Sequence, residues 1–166
     1  MSPFEQFVDG IHPAFLDGDP VASAKATEVE HVRLLREMYA AIARGDTAAF
    51  AAAFADDIEL EIVGPPQYPF AGHWKGRQNV LGAVANNFSI VEDQRPVIES
   101  VVAQGDTVVV VFDEVGRVKS TGRSYQVRCV QLYTFRNWHL VRVRQVADSA
   151  PLIAACRADG PTGTVG

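Results

Sequence analysis

Three polar side chains, Asp113, Gln131 and Gln145, interrupt runs of alternating apolar residues in the C-terminal half of the chain. Alternate residues of a strand point to opposite faces, so each of these side chains belongs to a definite face of its strand. On the last two strands the opposite face carries arginines, which are rarely buried without a partner. The pattern therefore predicts that Asp113, Gln131 and Gln145 point into the interior.

A carboxyl group in an apolar interior can exchange protons near neutral pH. Burial disfavours the charged form and raises the pKa, and general acid–base catalysis needs a pKa near the working pH. We therefore predict that Asp113 abstracts or donates a proton, while Gln131, with Tyr39 or Tyr68, donates hydrogen bonds to a developing enolate oxygen. The alternative is that Asp113 lies at the solvent-exposed mouth of the interior, or pairs with an arginine, and only aids solubility.

The loop that follows the first predicted strand adds two candidates, His73 and Trp74. Histidine titrates near neutral pH, and tryptophan offers a flat surface to a ring-shaped ligand. His73 is therefore a second candidate for proton transfer. Trp74 is predicted to bind substrate together with Tyr39, Tyr68, Tyr133 and the two glutamines. In the simpler alternative, Trp74 only fixes the loop on the core while the neighbouring glycines turn it.

Arg128, Arg142 and Arg144 form a basic stripe on adjacent predicted strands. An ion-pair ladder with Glu114 or Glu99 on the outer face explains this stripe more simply than an anion-binding site does.

Helical periodicity and capping residues place two helices in the first third of the chain. The first helix is predicted to begin at a capping box formed by Thr27 and Glu30 and to end at Gly45. Asp46 is a typical N-cap for the second helix, Thr47–Phe54.

The remaining elements are two helices and five strands, and the last of them is a short terminal helix, Ala150–Cys156. The first strand is predicted near residues 58–62, and the third helix follows near residues 77–88. Four further strands are predicted near residues 97–103, 107–118, 124–137 and 139–147. Short turns join the last four strands, which implies antiparallel neighbours. Helices followed by a run of strands predict an α+β domain with the helices on one face of the sheet.

The composition of the 166-residue chain fits one domain, with an N-terminal arm over residues 1–27 and a frayed tail over residues 157–166. A net charge of −5 argues against nucleic acid as the main partner, and no apolar run approaches the ~20 residues of a membrane helix. No basic segment precedes an apolar stretch near the N-terminus, so we expect a cytoplasmic protein. Cys129 and Cys156 cannot build a disulfide framework and lack metal-type spacing, so no metal is expected.

Four segments of the chain carry a resemblance to a known family. They are YAAIARGD at residues 39–46, FADD at 54–57, FAGHWKG at 70–76, and the closing hairpin of residues 125–135 and 140–148. From residue 28 to residue 156 the sequence resembles the SnoaL-like branch of the nuclear transport factor 2 superfamily. This resemblance implies a cone, in which a curved, mostly antiparallel sheet wraps around three N-terminal helices and encloses an apolar pocket. It also implies a homodimer through the outer face of the sheet.

The superfamily includes ketosteroid isomerase and SnoaL-type polyketide cyclases, but this sequence departs from both. The resemblance puts Ile62, Met38 and Gln131 where the isomerase has its catalytic Asp, its Tyr and its protonated Asp. Gln131 and Gln145 stand where the cyclases use a His and an Asp, and an amide cannot act as a base.

The prediction is therefore a cofactor-free isomerase, cyclase or hydratase that acts on a ring-bearing apolar substrate by proton transfer. The alternative is a non-catalytic ligand-binding or dimerisation module of the same fold, since one fold hosts many functions.

Overall fold

The structure, a computed structural model, describes residues 25–157. Its helices are α1 (Ala26–Ala43), α2 (Thr47–Ala52), α3 (Arg77–Ile90) and α4 (Ala150–Cys156). Its strands are β1 (Phe54–Val63), β2 (Gly72–Lys75), β3 (Val91–Gln104), β4 (Thr107–Val118), β5 (Ser124–Arg136) and β6 (His139–Ala147). The predicted arm, apart from residues 25–27, and the predicted tail, apart from residue 157, lie outside the described residues.

The six strands form one sheet in the order β2-β1-β6-β5-β4-β3. The β1–β6 pair is parallel and the other pairs are antiparallel. Apolar residues of the helices pack on the inner face of this curved, unclosed sheet and form the core with it. The predicted α+β cone is therefore confirmed.

The first helix begins two residues earlier than the predicted capping box. The backbone N–H of Lys25 donates to the Glu28 carboxylate at 2.9 Å, so the Thr27–Glu30 box is wrong. Glu28 also accepts from the N–H of Gly105 at 2.8 Å, which ties α1 to the β3–β4 turn. One carboxylate therefore satisfies two backbone donors on different elements.

The second helix is capped as predicted. The Asp46 carboxylate accepts from the N–H of Ala49 at 2.9 Å. The helix ends at Ala52 rather than at Phe54, because Phe54 is already the first residue of β1.

The predicted loop before α3 contains the short strand β2, which pairs with β1. The Trp74 ring folds back over Gly72, where an added Cβ would lie 2.5 Å from the ring. Glycine at this position therefore lets the ring cover the strand. No helix among residues 25–157 has both the length and the apolar character needed to cross a bilayer.

Candidate functional site

A cavity of about 150 Å³ lies between the helices and the inner face of the sheet. Most of its wall is apolar, with Met38, Ile42 and Phe112 among the lining residues. The polar side chains on the wall are Tyr39, Tyr68, Asn87, Gln94, Glu114, Gln131, Tyr133 and Gln145. An apolar space with a few polar groups is the usual form of a small-molecule site.

On β4, the face that points into the interior is the one predicted to point outward. Val108, Val110 and Phe112 are buried, and Glu114 belongs to the same alternate series and lines the cavity. Asp113 lies on the outer face, where Arg128 donates to both of its oxygens, at 2.9 and 3.2 Å. The predicted inward orientation of Asp113 is therefore wrong, and the alternative of an arginine pair is what the structure shows.

The sequence contains a signal that would have oriented β4 correctly. Arg117 belongs to the same alternate series as Asp113. The rule that arginine-bearing faces lie outside, applied to this strand as well, places Asp113 outside and Glu114 inside. The predicted outer ladder is thus half right, because Arg128 pairs with Glu99 at 2.7 Å and Glu114 takes no part in it.

The Glu114 carboxyl is held by two neutral donors. The hydroxyl of Tyr125 donates to Oε1 at 2.7 Å, and Nε2 of Gln94 donates to the same oxygen at 3.1 Å. Both hydrogen bonds from described residues end on Oε1, which leaves Oε2 as the oxygen that a ligand in the cavity can engage. Burial raises the pKa of Glu114, and the two donors act against this rise without cancelling it.

A glycine places the first of these donors. Gly116 faces Tyr125 across the β4–β5 pair, and a Cβ at residue 116 would lie 2.5 Å from the Tyr125 hydroxyl. Only a residue without a side chain lets the phenol ring cross β4 and reach Glu114.

A β-bulge places the second donor. Between Glu92 and Arg95, β3 carries one residue more than β4, and Asp93 adopts a φ of 56° there. The extra residue reverses the alternation, so that Gln94 faces inward and reaches Glu114. Bulges are frequent next to functional sites because they re-aim a side chain in this way.

A second polar group on the cavity wall consists of phenols and amides. The Tyr39 hydroxyl lies 2.6 Å from the Tyr133 hydroxyl and donates to Oε1 of Gln131 at 3.0 Å. Tyr133 also donates to this oxygen. Nε2 of Gln131 donates to Gln145 at 2.7 Å, and Tyr68 is hydrogen-bonded to the Gln145 side chain. Five of the predicted substrate-binding residues therefore share one connected network.

This network stays neutral at physiological pH. Burial raises the pKa of Tyr39, Tyr68 and Tyr133, so the phenols keep their protons and remain donors. The charges of Cys129 and Glu114 add to the rise for Tyr39 and Tyr68. Burial also raises the pKa of the Cys129 thiol on the same wall, so it is not an activated nucleophile.

The remaining two predicted site residues lie outside the cavity. His73 is 60% exposed and its Nε2 lies 3.5 Å from the Glu59 carboxylate. Trp74 packs against the core but does not line the cavity, in agreement with the simpler alternative for this residue. Among residues 25–157, no three His, Cys, Asp or Glu side chains are grouped so that they could hold a metal ion.

The fold and the site together define an NTF2-like cone with a half-buried carboxyl and a phenol–amide network in its cavity. Residues 35–143 match the family model of the SnoaL-like domain, and the chain belongs to this family.

Several solved structures are similar to this chain. An NTF2-like protein from Burkholderia xenovorans LB400 is 32% identical, with a TM-score of 0.69 over 77% of this chain and 96% of that one. A candidate SnoaL-like polyketide cyclase from Jannaschia sp. CCS1 is 17% identical, with a TM-score of 0.72 over 83% and 99%. A candidate isomerase from Rhodopseudomonas palustris is 25% identical, with a TM-score of 0.62 over 76% and 94%. Among the curated proteins, none matches the sequence.

Proposed function

We propose that this protein is a cofactor-free isomerase or cyclase that moves a proton next to the carbonyl group of a small, ring-bearing substrate. The observation that carries the proposal is the position of Glu114. Within residues 25–157 it is the only acidic side chain that lines the cavity, and burial raises its pKa toward the range in which proton transfer is efficient.

In the proposed reaction, Oε2 of ionised Glu114 removes a proton from the carbon beside the carbonyl. The C–H bond breaks and an O–H bond forms on Glu114, while the C–H electron pair becomes the double bond of an enolate. Where the substrate carries a C=C bond conjugated with the enolate, return of the proton from Glu114 to the far carbon of that bond completes an isomerisation. Where the enolate carbon instead attacks a second carbonyl of the same substrate, the alkoxide that forms takes the proton from Glu114, which completes a cyclisation.

The phenol–amide network supplies donors for the enolate oxygen. Tyr39 and Tyr133 have one hydroxyl proton each. Three contacts compete for these two protons, one between the two hydroxyls and one from each hydroxyl to Gln131. A substrate oxygen can therefore accept a hydrogen bond from one of these hydroxyls, while the proton of the other hydroxyl keeps one of the contacts. Neutral donors placed in advance in an apolar cavity stabilise developing negative charge more than water does.

The cavity volume limits the part of the substrate that reacts. A space of about 150 Å³ matches an apolar cavity of similar size that holds one benzene ring. One six-membered ring carrying a carbonyl oxygen therefore fits between Glu114 and the phenols.

The names of two structural relatives support this class of reaction, since one is a candidate polyketide cyclase and the other a candidate isomerase. The proposal assigns no catalytic role to Asp113 or His73, because neither lines the cavity.

The test is hydrogen–deuterium exchange into cyclohexanone in deuterated water, followed by proton NMR. We expect wild-type protein to accelerate exchange and Glu114→Gln to lower the acceleration at least about 100-fold, the usual contribution of a general base. Asp113→Asn is the matched control, and it should exchange within about twofold of wild type. Equal rates for wild type and Glu114→Gln would favour the non-catalytic ligand-binding module instead.

We also propose that the protein forms a homodimer through the outer face of the sheet. Val111, Val130 and Val146 form a row across three neighbouring strands, and Val97 and Val102 of β3 are 54% and 56% exposed. Ion pairs border the row, including Asp113 with Arg128. A partly apolar sheet face of this kind gains stability when a second copy covers it.

A further inference from the structure

A second compartment of about 350 Å³ adjoins the cavity, between α2 and α3. Four side chains, those of Ile42, Phe50, Val84 and Phe88, line both spaces. The two spaces therefore share a wall, and the side chains of Phe50 and Phe88 are part of it.

The chemistry of the two spaces differs. The inner cavity has eight polar side chains on its wall. The large side chains that line the outer compartment are all apolar; they are the four shared residues and Leu81. Its one carboxylate is that of Asp46, which caps α2 through Ala49. The outer compartment therefore suits a hydrocarbon and offers little to a polar group.

The side chains around the compartment are of intermediate exposure rather than fully buried. α2 has no fully buried residue, and Phe50, Leu81, Val84 and Phe88 all stay partly exposed. A hydrocarbon placed between the helices would remove this apolar surface from water, which is favourable.

The volumes of the two spaces also favour a ligand that extends into the outer compartment. Sites for drug-sized ligands usually measure roughly 300–1,000 Å³. The inner cavity, at about 150 Å³, lies below this range, and the outer compartment, at about 350 Å³, would extend the site into it.

We propose that the substrate carries a hydrocarbon substituent, which extends from the reacting ring past the shared wall at Phe50 and Phe88 into the compartment between α2 and α3. The position of the ring rests on the proposed function. The compartment and its preference for hydrocarbon follow from its lining residues alone and do not depend on the proposed reaction.

The test measures dissociation constants by calorimetry for cyclohexanone and for 4-methyl-, 4-propyl- and 4-hexylcyclohexanone. Burial of each methylene should tighten binding about fourfold until the compartment is full. Ala85→Trp and Ala48→Trp, on opposite walls, should abolish this gain by filling the compartment. Asn86→Trp is the matched control, because Asn86 is exposed on the same helix but does not line the compartment, and it should keep the gain.

Affinities that do not rise with chain length in wild type would overturn the proposal, as would absence of saturable binding by the hexyl compound. A gain that persists in both Ala85→Trp and Ala48→Trp, with thermal unfolding showing folded proteins, would overturn it too. Chain-length dependence without any proton exchange would refute the proposed reaction while supporting the compartment.

Discussion

Glu114 is the only acidic side chain among residues 25–157 that lines the cavity. Its pKa is raised by burial, and its carboxyl receives only neutral donors, Tyr125 and Gln94. A buried carboxylate without a cationic partner lowers the free energy of unfolding whenever it is ionised. The residue therefore costs stability at the pH where it is useful as a base, which is typical of functional positions.

Replacement of Glu114 by Gln should therefore stabilise the protein at high pH. Because the folded-state pKa is raised above 4.5, the native state binds more protons than the unfolded chain, and stability falls as pH rises between the two values. Urea unfolding should show Glu114→Gln close to wild type near pH 4 and more stable, by roughly 0.5–2 kcal/mol, at pH 8.

Glu59→Gln provides a control of opposite sign. A hydrogen bond from Lys75 lowers the pKa of Glu59, so this variant should lose stability relative to wild type as pH rises. A difference between Glu114→Gln and wild type that does not change with pH would contradict the burial of the carboxyl.

Gly116 should be indispensable for the geometry of the same carboxyl. In Gly116→Ala, the new Cβ would push the Tyr125 hydroxyl away, which should lower the unfolding free energy by about 1–3 kcal/mol through overpacking. Loss of the donor should also raise the pKa of Glu114 further, so the acidic limb of the kcat/KM–pH profile for exchange, where Glu114 becomes protonated, should move to higher pH.

Two variants separate these effects. Tyr125→Phe should move the limb in the same direction without overpacking. Gly82→Ala, in the open space on α3, should leave the limb in place and stabilise the helix by roughly 0.5–1 kcal/mol. A limb that stays in place in both Gly116→Ala and Tyr125→Phe would show that Tyr125 does not tune Glu114.

Among the elements, α2 depends most on its ends. It is six residues long and has no fully buried residue, so packing contributes little to its stability. The hydrogen bond from the Ala49 N–H to Asp46 therefore supplies much of what holds it over the compartment.

Asp46→Ala should lower the unfolding free energy by about 1 kcal/mol, within the 0.5–2 kcal/mol range of N-cap losses. Asp46→Asn should cost little, because asparagine caps helices about as well as aspartate. Denaturant unfolding of both variants checks this, and equal losses would mean that the charge, rather than the cap, stabilises α2.

At the scale of the whole molecule, the sheet has an apolar inner face and an outer face on which exposed valines lie among ion pairs. The inner face encloses the cavity, and the outer face exposes the valines that we propose to lie in the homodimer. A charge introduced at the centre of such an interface would be buried without a partner.

Val102→Glu should therefore convert the dimer to a monomer in sedimentation experiments at micromolar concentration. Val29→Glu is the matched control, because Val29 has a similar exposure, 49% against 56%, but lies on α1 and not on a strand of the sheet. Wild-type protein that sediments as a monomer, or a dimer that survives Val102→Glu, would contradict the proposed interface.

Periodicity and capping residues were sufficient for most elements, because these signals act over a few neighbouring residues. They predict β4, β6 and the cap at Asp46 correctly, and with the family motifs they lead to the α+β cone. They also predict five of the side chains that line the cavity, among them Gln131 and Tyr133.

The orientation of β4 and the position of Gln94 required the assembled sheet. Alternation shows that Asp113 and Glu114 point to opposite sides, but the packing of distant helices and strands determines which side is interior. The bulge at Asp93 reverses alternation within β3, and only its pairing with β4 reveals the extra residue. These long-range contacts place Glu114, rather than Asp113, in the cavity.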